Sequence, residues 1–151
     1  PIGEPQPCIS AGTLENGDWD GISIEGAYCI KRDGKYYLFY SSWSRGYEIG
    51  YATADNPLGP WTKYDGNPVY GAQLKQICDK NKLEFTGDPD SPWGAVGHNE
   101  IFTGPDSIPQ TGSTDDSKAD RVPYLVIDPI DFVDGVIKIN GPTYTKQSIT
   151  Y

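Results

Sequence analysis

One carboxylate stands where a carboxylate is costly. Glu25 interrupts an apolar, β-rich run, ISIEGAYCI, with Gly26 directly behind it. An acid on a half-buried strand is disfavoured unless paired, and partial desolvation raises its pKa toward the range in which it donates a proton near neutrality. General acid chemistry is one reading of Glu25, and an edge-strand glutamate facing water is the other. Asp18 and Asp20 flank Trp19 in the stretch that feeds this strand. They are the local candidates for a second carboxylate, or else they form a solvated acidic turn. His98, the single histidine, follows Gly97 and opens an inner-strand run; an imidazole there either serves a site or satisfies a buried hydrogen bond. Cys8, Cys29 and Cys78 lack metal-ligand spacing, and their odd number allows one disulfide with a free thiol or no disulfide. Cys29 reads as a small buried hydrophobe on its strand.

The elements that must position Glu25 begin with a hairpin. Residues 22–40 are two apolar runs joined by Arg32-Asp33-Gly34-Lys35, and Asp-Gly suits a type I′ turn because both central residues need positive φ. Ile22, Ile24, Tyr28 and Ile30 are the expected buried positions on the first run. Strands at 36–42, 47–53 and 61–64 follow, punctuated by the turn-forming DNPLGP run, with 68–70 continuing the sheet or crossing to the next. Residues 1–21 read as a leading connector with one short strand. Residues 71–96 read as a long irregular loop with a short helix near 73–80. A second set of strands is expected at 99–103, 124–127, 130–133 and 136–140, broken at Pro129 and turned by Asp134-Gly135.

The runs IEGAYCIKRDGKYYLFYSS, YEIGYATADNPLGPWTKY, GHNEIFTGPD and YLVIDPIDFVDGVIKINGPT, in that order, resemble glycoside hydrolase family 43. The resemblance covers the chain from about Gly21 onward. It implies an all-β fold, a partial five-bladed β-propeller in which this chain supplies about two blades of antiparallel strands, at 22–70 and 97–151. It also implies inverting hydrolysis of arabinosyl or xylosyl linkages in plant cell-wall polysaccharide, as in arabinanases, arabinofuranosidases and xylosidases. Glu25 falls on the family's acid-bearing Glu-Gly-Ala strand, and such hydrolysis needs a second, ionised carboxyl group to activate water. The resemblance implies an aspartate base and an aspartate tuning the acid; nothing in the chain matches them, and they are expected N-terminal to Pro1. It places His98 at the central channel, against substrate or, through water, a structural calcium, with no cofactor required; calcium prefers oxygen ligands, so a lone histidine does not specify it. It makes Arg121 a sugar contact. Trp43 and Trp93 lie where an indole face either stacks on a sugar ring or packs between elements. The chain departs from the family at residues 107–122, SIPQTGSTDDSKADRV, which read as a flexible loop; a strand is then either lost or supplied by another segment.

Composition bounds the partners. A net charge of −9, with 12 scattered Lys and Arg, argues against nucleic acid, whereas a neutral sugar polymer is compatible with it. Eleven Tyr, four Trp and four Phe beside 18 Gly and 13 Pro describe short strands, many turns and aromatics left over for flat ligands. No apolar stretch reaches the length of a membrane span, and secretion is neither read nor excluded, though the resemblance favours an extracellular place. Without methionine, Pro1 is no natural start, so the chain reads as the C-terminal part of a catalytic domain. The expected partners are an oligo- or polysaccharide and the missing N-terminal half, or a second copy of the chain. A carbohydrate-binding or interaction module derived from a truncated propeller is the alternative to an enzyme. An all-β chain should give a far-UV circular dichroism spectrum with little helix; a helix fraction of about a third, the ordinary globular average, would refute that class.

Overall fold

The structure, a computed structural model, describes residues 3–104, 109–117 and 123–145, with backbone alone for 109–117 and for Pro123. Two antiparallel sheets make up the regular structure of these residues, with one helix, α1 (Lys75–Asn81), and a 3-10 turn at Leu14–Asn16. The first sheet holds β1 (Glu25–Arg32), β2 (Lys35–Ser42), β3 (Gly46–Ala54), β4 (Thr62–Lys63) and β5 (Tyr70–Gln73). β4 and β5 share the far side of β3, at Ala52–Thr53 and Gly46–Ile49 respectively. The second sheet runs in the order β6 (Trp93–Thr103), β7 (Pro109–Ser117), β8 (Pro123–Val133) and β9 (Val136–Ile139). No helix among the described residues is long and apolar enough to cross a membrane.

Turn chemistry sets the hairpins. Asp33 (φ 49°) and Gly34 (φ 82°) both lie in the left-handed region, as the expected turn demands, and Arg32 pairs with Lys35. Asp134 (φ 52°) and Gly135 (φ 78°) repeat the device between β8 and β9. The helix expected near 73–80 forms as α1, starting two positions and ending one position further on.

The core lies between the sheets. Tyr37 and Phe39 on β2, Ile49 and Tyr51 on β3, and Tyr70 on β5 meet Val96, Ile130 and Ile137 of the second sheet. Tyr37 meets Phe132 edge-on, with ring centroids 5.3 Å apart. Residues 37–42 of β2 are buried on both faces, which is why YLFYSS does not alternate. The opposite face is covered by the leading segment: Trp19 lies 5.4 Å from Tyr40, and a Cβ on Gly50 would meet the Trp19 ring at 2.5 Å. Asp128, fully buried on β8, accepts hydrogen bonds from Tyr70 Oη (2.5 Å), Thr143 N (3.1 Å) and Thr143 Oγ1 (2.6 Å), which tie the second sheet to β5 and to the segment after β9.

Several expectations are corrected. The described part of the leading connector contains no strand; it works as cover, with Asp20 ion-paired to Lys63. Ile22 is 50% exposed, because β1 begins only at Glu25. Cys29 is exposed and Cys78 buried, and all three cysteines are free thiols. Residues 71–96 are less irregular than expected, since β5 runs to Gln73 and β6 starts at Trp93. The polar stretch expected to be a loop holds β7, which pairs with β6 on one side and β8 on the other. Two flanking ladders supply the hydrogen bonds that its composition does not advertise, since strand preference follows context more than residue type. β8 continues through Pro129, the last β8 residue in register with β7 before pairing passes to β9, so its missing N–H falls at the end of a ladder.

At the tightest crossing of the sheets, a Cβ on Gly97 would lie 2.3 Å from Tyr47 Cε1. Gly97 is not held at positive φ, so the crowding alone decides the outcome. Gly97→Ala should therefore cost roughly 1–3 kcal/mol, the usual penalty of overpacking, read by denaturant unfolding. Unchanged stability would show that the sheets separate freely there.

Candidate functional site

Glu25 is the first residue of β1, opposite Ser41, and the ladder is irregular between it and Tyr28. Gly26 adopts φ 62° in that irregularity. A bulge bends its strand and re-aims side chains, and here the carboxylate reaches the end of the sheet instead of its buried face. Two donors meet it there. Tyr47 Oη donates to Glu25 Oε1 at 2.7 Å, and Trp43 Nε1 donates to the same oxygen at 2.9 Å. The two aromatic rings are stacked with centroids 3.6 Å apart and planes 8° from parallel. Trp43 keeps 42% of its surface exposed, whereas Tyr47 is buried.

His98 arrives from the second sheet in a bulge of its own. The β6–β7 register shifts between Gly97 and Glu100, and His98 has φ 59°, uncommon for a residue with a side chain. Its N–H donates to Ser41 Oγ at 2.9 Å, and its Nδ1 lies 3.5 Å from Tyr47 Oη. Gly26 permits this approach, since a Cβ there would lie 3.2 Å from His98 Cα, Cγ and Nδ1. The neighbouring Asn99 is 1% exposed, and neither its amide oxygen nor its nitrogen has a partner among the described residues.

The electrostatics of Glu25 run opposite to the sequence expectation. The Tyr47 hydroxyl, then the Trp43 indole, hold its carboxyl below the ordinary glutamate range; slight desolvation pushes the other way, and His98 adds a small lowering effect. The reason is position, because the side chain is exposed and its charged form is hydrogen-bonded. The Tyr47 phenol is raised by burial and by the adjacent carboxylate, so it stays protonated and serves as a donor.

The other predicted residues are distributed differently. Trp93 is half-buried at the start of β6, donates from Nε1 to Thr143 O at 3.2 Å and leans on Tyr124. Five residue steps along β6, at most about 16 Å, lie between it and His98. Arg121 lies outside the described residues. Asp18 accepts from Thr13 N, and the buried Asp20 from Gly12 N and Lys63 Nζ. Asp20 acts on Tyr40, whose side chain alternates with that of Ser41 to the opposite face of the sheet. Neither aspartate joins Glu25. Tyr47 and Ser41 escape sequence reading altogether; alternation in YEIGYAT places Tyr47 on the core face, but only the register shows where its hydroxyl ends. A cavity of about 520 Å³, lined among others by Glu48, Gln73, Asp88, Asn140 and Tyr144, includes none of Glu25, Trp43, Trp93 or His98. Among the described residues, no group of three or more His, Cys, Asp or Glu side chains is arranged to hold a metal ion.

Glu25, Trp43, Tyr47 and His98 thus meet at one strand end, where the two sheets cross. The sequence profile of glycosyl hydrolases family 43 matches residues 3–136, and the chain belongs to that family. It is 29% identical over 77 residues to a beta-xylosidase of Xylanibacter ruminicola, a stretch that is 50% of this chain and 24% of that protein. A thermostable family-43 glycoside hydrolase is similar in structure at TM-score 0.64 and 32% identity, over 84% of this chain and 38% of that one. An endo-1,4-beta-xylanase from Bacteroides thetaiotaomicron reaches TM-score 0.66 at 30% identity, over 89% of this chain and 43% of that one. The chain thus spans about a quarter of the curated relative's length and about two fifths of the solved chains.

The clamp has a titration consequence. The anion of Glu25 is stabilised in the folded chain, so that contribution is complete above the unfolded-state midpoint and is lost as pH falls through the lowered folded midpoint. Carboxyl carbon NMR should place the Glu25 midpoint below that of an ordinary glutamate. A midpoint at or above the ordinary value would contradict the geometry.

Proposed function

We propose that this chain carries the acid half of an inverting glycosidase site, in a protein that hydrolyses xylosyl or arabinosyl linkages of plant polysaccharide. Its two sheets are two blades of a five-bladed propeller, completed by a segment outside these residues or by a second copy. The observation that carries this reading is Glu25 at the strand end, its Oε1 held by Tyr47 and Trp43 and its surroundings approached by His98 from the other sheet. Family membership supports the chemistry. The similar beta-xylosidase and endo-1,4-beta-xylanase support a xylose-based substrate.

In this reading Glu25, in its neutral form, gives its proton to the glycosidic oxygen as the bond from that oxygen to the anomeric carbon breaks. The bonding pair leaves with the oxygen, and a water activated by the aspartate base adds to the anomeric carbon from the opposite side. Glu25 alone is too readily ionised for this role. A second carboxylate close by and the dry contact of a bound sugar both disfavour its charge, and both come from outside the described residues. Trp43 offers the indole face that Tyr47 leaves open, a platform for a sugar ring beside the acid. His98 lines the floor, and Arg121 and Trp93 extend substrate contacts. The described residues do not by themselves fit calcium, which takes about six to eight oxygen ligands. The amide of Asn99 next to His98, without a partner among the described residues, instead suits water, through which a central ion would be reached. No step above depends on it.

Glu25→Gln in the complete enzyme keeps the shape and removes the proton. Turnover of a xylosyl or arabinosyl disaccharide should fall roughly a hundred- to ten-thousandfold, while a nitrophenyl glycoside, whose leaving group needs little protonation, should react nearly as before. Equal loss of both would make Glu25 a binding or structural residue.

A further inference from the structure

We propose that Tyr47, seconded by Trp43, is a positioning residue for proton delivery: the two donors lock Oε1 of Glu25 and leave Oε2 as the oxygen that carries and releases the proton. The inference rests on the reading of Glu25 as the general acid.

Both hydrogen bonds end on one oxygen, at 2.7 and 2.9 Å. In a neutral carboxyl group the carbonyl oxygen is the acceptor and the hydroxyl oxygen carries the hydrogen. An oxygen already accepting from a phenol and an indole is therefore the carbonyl one, and the proton belongs on Oε2. The clamp is rigid for reasons outside the carboxylate. Tyr47 is 4% exposed, its ring fills the space that a Cβ on Gly97 would need, and it stacks on the parallel indole of Trp43. Behind it, Ser41 Oγ accepts from His98 N and so fixes the backbone of the residue that faces the phenol. With the phenol proton committed to Glu25, the 3.5 Å approach of His98 Nδ1 is favourable when that nitrogen bears hydrogen and points it at the phenol oxygen. The chain of donors then runs toward the carboxylate.

This arrangement favours the transition state over the bound substrate. As Oε2 releases its proton to the glycosidic oxygen, negative charge grows on the carboxyl group, and hydrogen bonds to a charged acceptor strengthen. Donors fixed in place before the reaction stabilise that charge without reorganising. A substrate whose leaving group needs protonation draws on the clamp; an activated one does not.

The test is Tyr47→Phe, which removes one hydroxyl and keeps the stacked ring. In the complete enzyme, kcat/KM for the unactivated disaccharide should fall roughly ten- to a hundredfold, while a nitrophenyl glycoside should change by less than about threefold. The alkaline limb of the pH profile should move to higher pH, because the variant lacks the donor that stabilises ionised Glu25. Equal loss on both substrates with an unmoved limb, or no loss on either, would overturn the clamp. Glu25→Gln measured in parallel separates the two ideas. If it fails to discriminate the leaving groups, the general acid reading falls; if it discriminates and Tyr47→Phe does not, the clamp alone falls. Should Tyr47→Phe not fold, the Tyr47 hydroxyl proton of the unaltered 151-residue chain gives the same answer. Its resonance should move as Glu25 titrates, and independence of the two overturns the proposal.

Discussion

The site depends on one close approach. Where β6 crosses the first sheet, Gly97 admits the ring of Tyr47 and Gly26 admits His98, while Ser41 takes the His98 N–H. Two bulges face each other at this crossing, one in each sheet. Each costs a ladder bond or two and a residue at positive φ, and in return each turns a polar side chain out of a plane that would bury it. Any side chain in place of either glycine would push the sheets apart at the point where the carboxylate, the phenol and the imidazole converge. Packing and chemistry therefore share the same few ångströms.

The same logic explains which acids are free for chemistry and which are not. Asp128 and Asp20 are more deeply buried than Glu25, yet each is spent on structure, the first on Tyr70 and Thr143, the second on Lys63 and the leading segment. Glu48, also buried, is held by Arg45 and Gln73, with burial raising its carboxyl and the guanidinium opposing that. Glu25 has neutral donors and, among the described residues, no cation at bonding distance and no partner on its second oxygen. Burial by itself is thus a poor guide to function in this fold; the informative quantity is how many lone pairs remain uncommitted.

Much of the first sheet was legible before any coordinates. Its turns announce themselves through Asp-Gly pairs, and its strands through long β-branched and aromatic runs, because these follow from local sterics and side-chain period. Glu25 stands out as a carboxylate in an apolar run and His98 as the single histidine, and the structure brings both to one crossing. Their companion Tyr47 does not, because a tyrosine on a core face looks like every other core tyrosine until the partner strand is in register. β7 was missed for the complementary reason, since a strand bonded on both sides can be written in Ser, Thr and Asp. The direction of the Glu25 pKa was misjudged because sequence shows apolar neighbours but not the bulge that lifts a side chain away from them.

β1 has a consequence for the behaviour of the molecule in solution. Among the described residues it pairs only with β2, so one row of its backbone groups faces outward. A straight, apolar strand in that place would be a template for other chains. β1 instead starts with a charged residue on a bulge and ends in Lys31 and Arg32, so a stranger strand meets a bend at one end and two cations at the other. The feature that aims the carboxylate is thereby also a guard against amyloid-like stacking, and a change that straightened β1 would trade away colloidal stability together with the site.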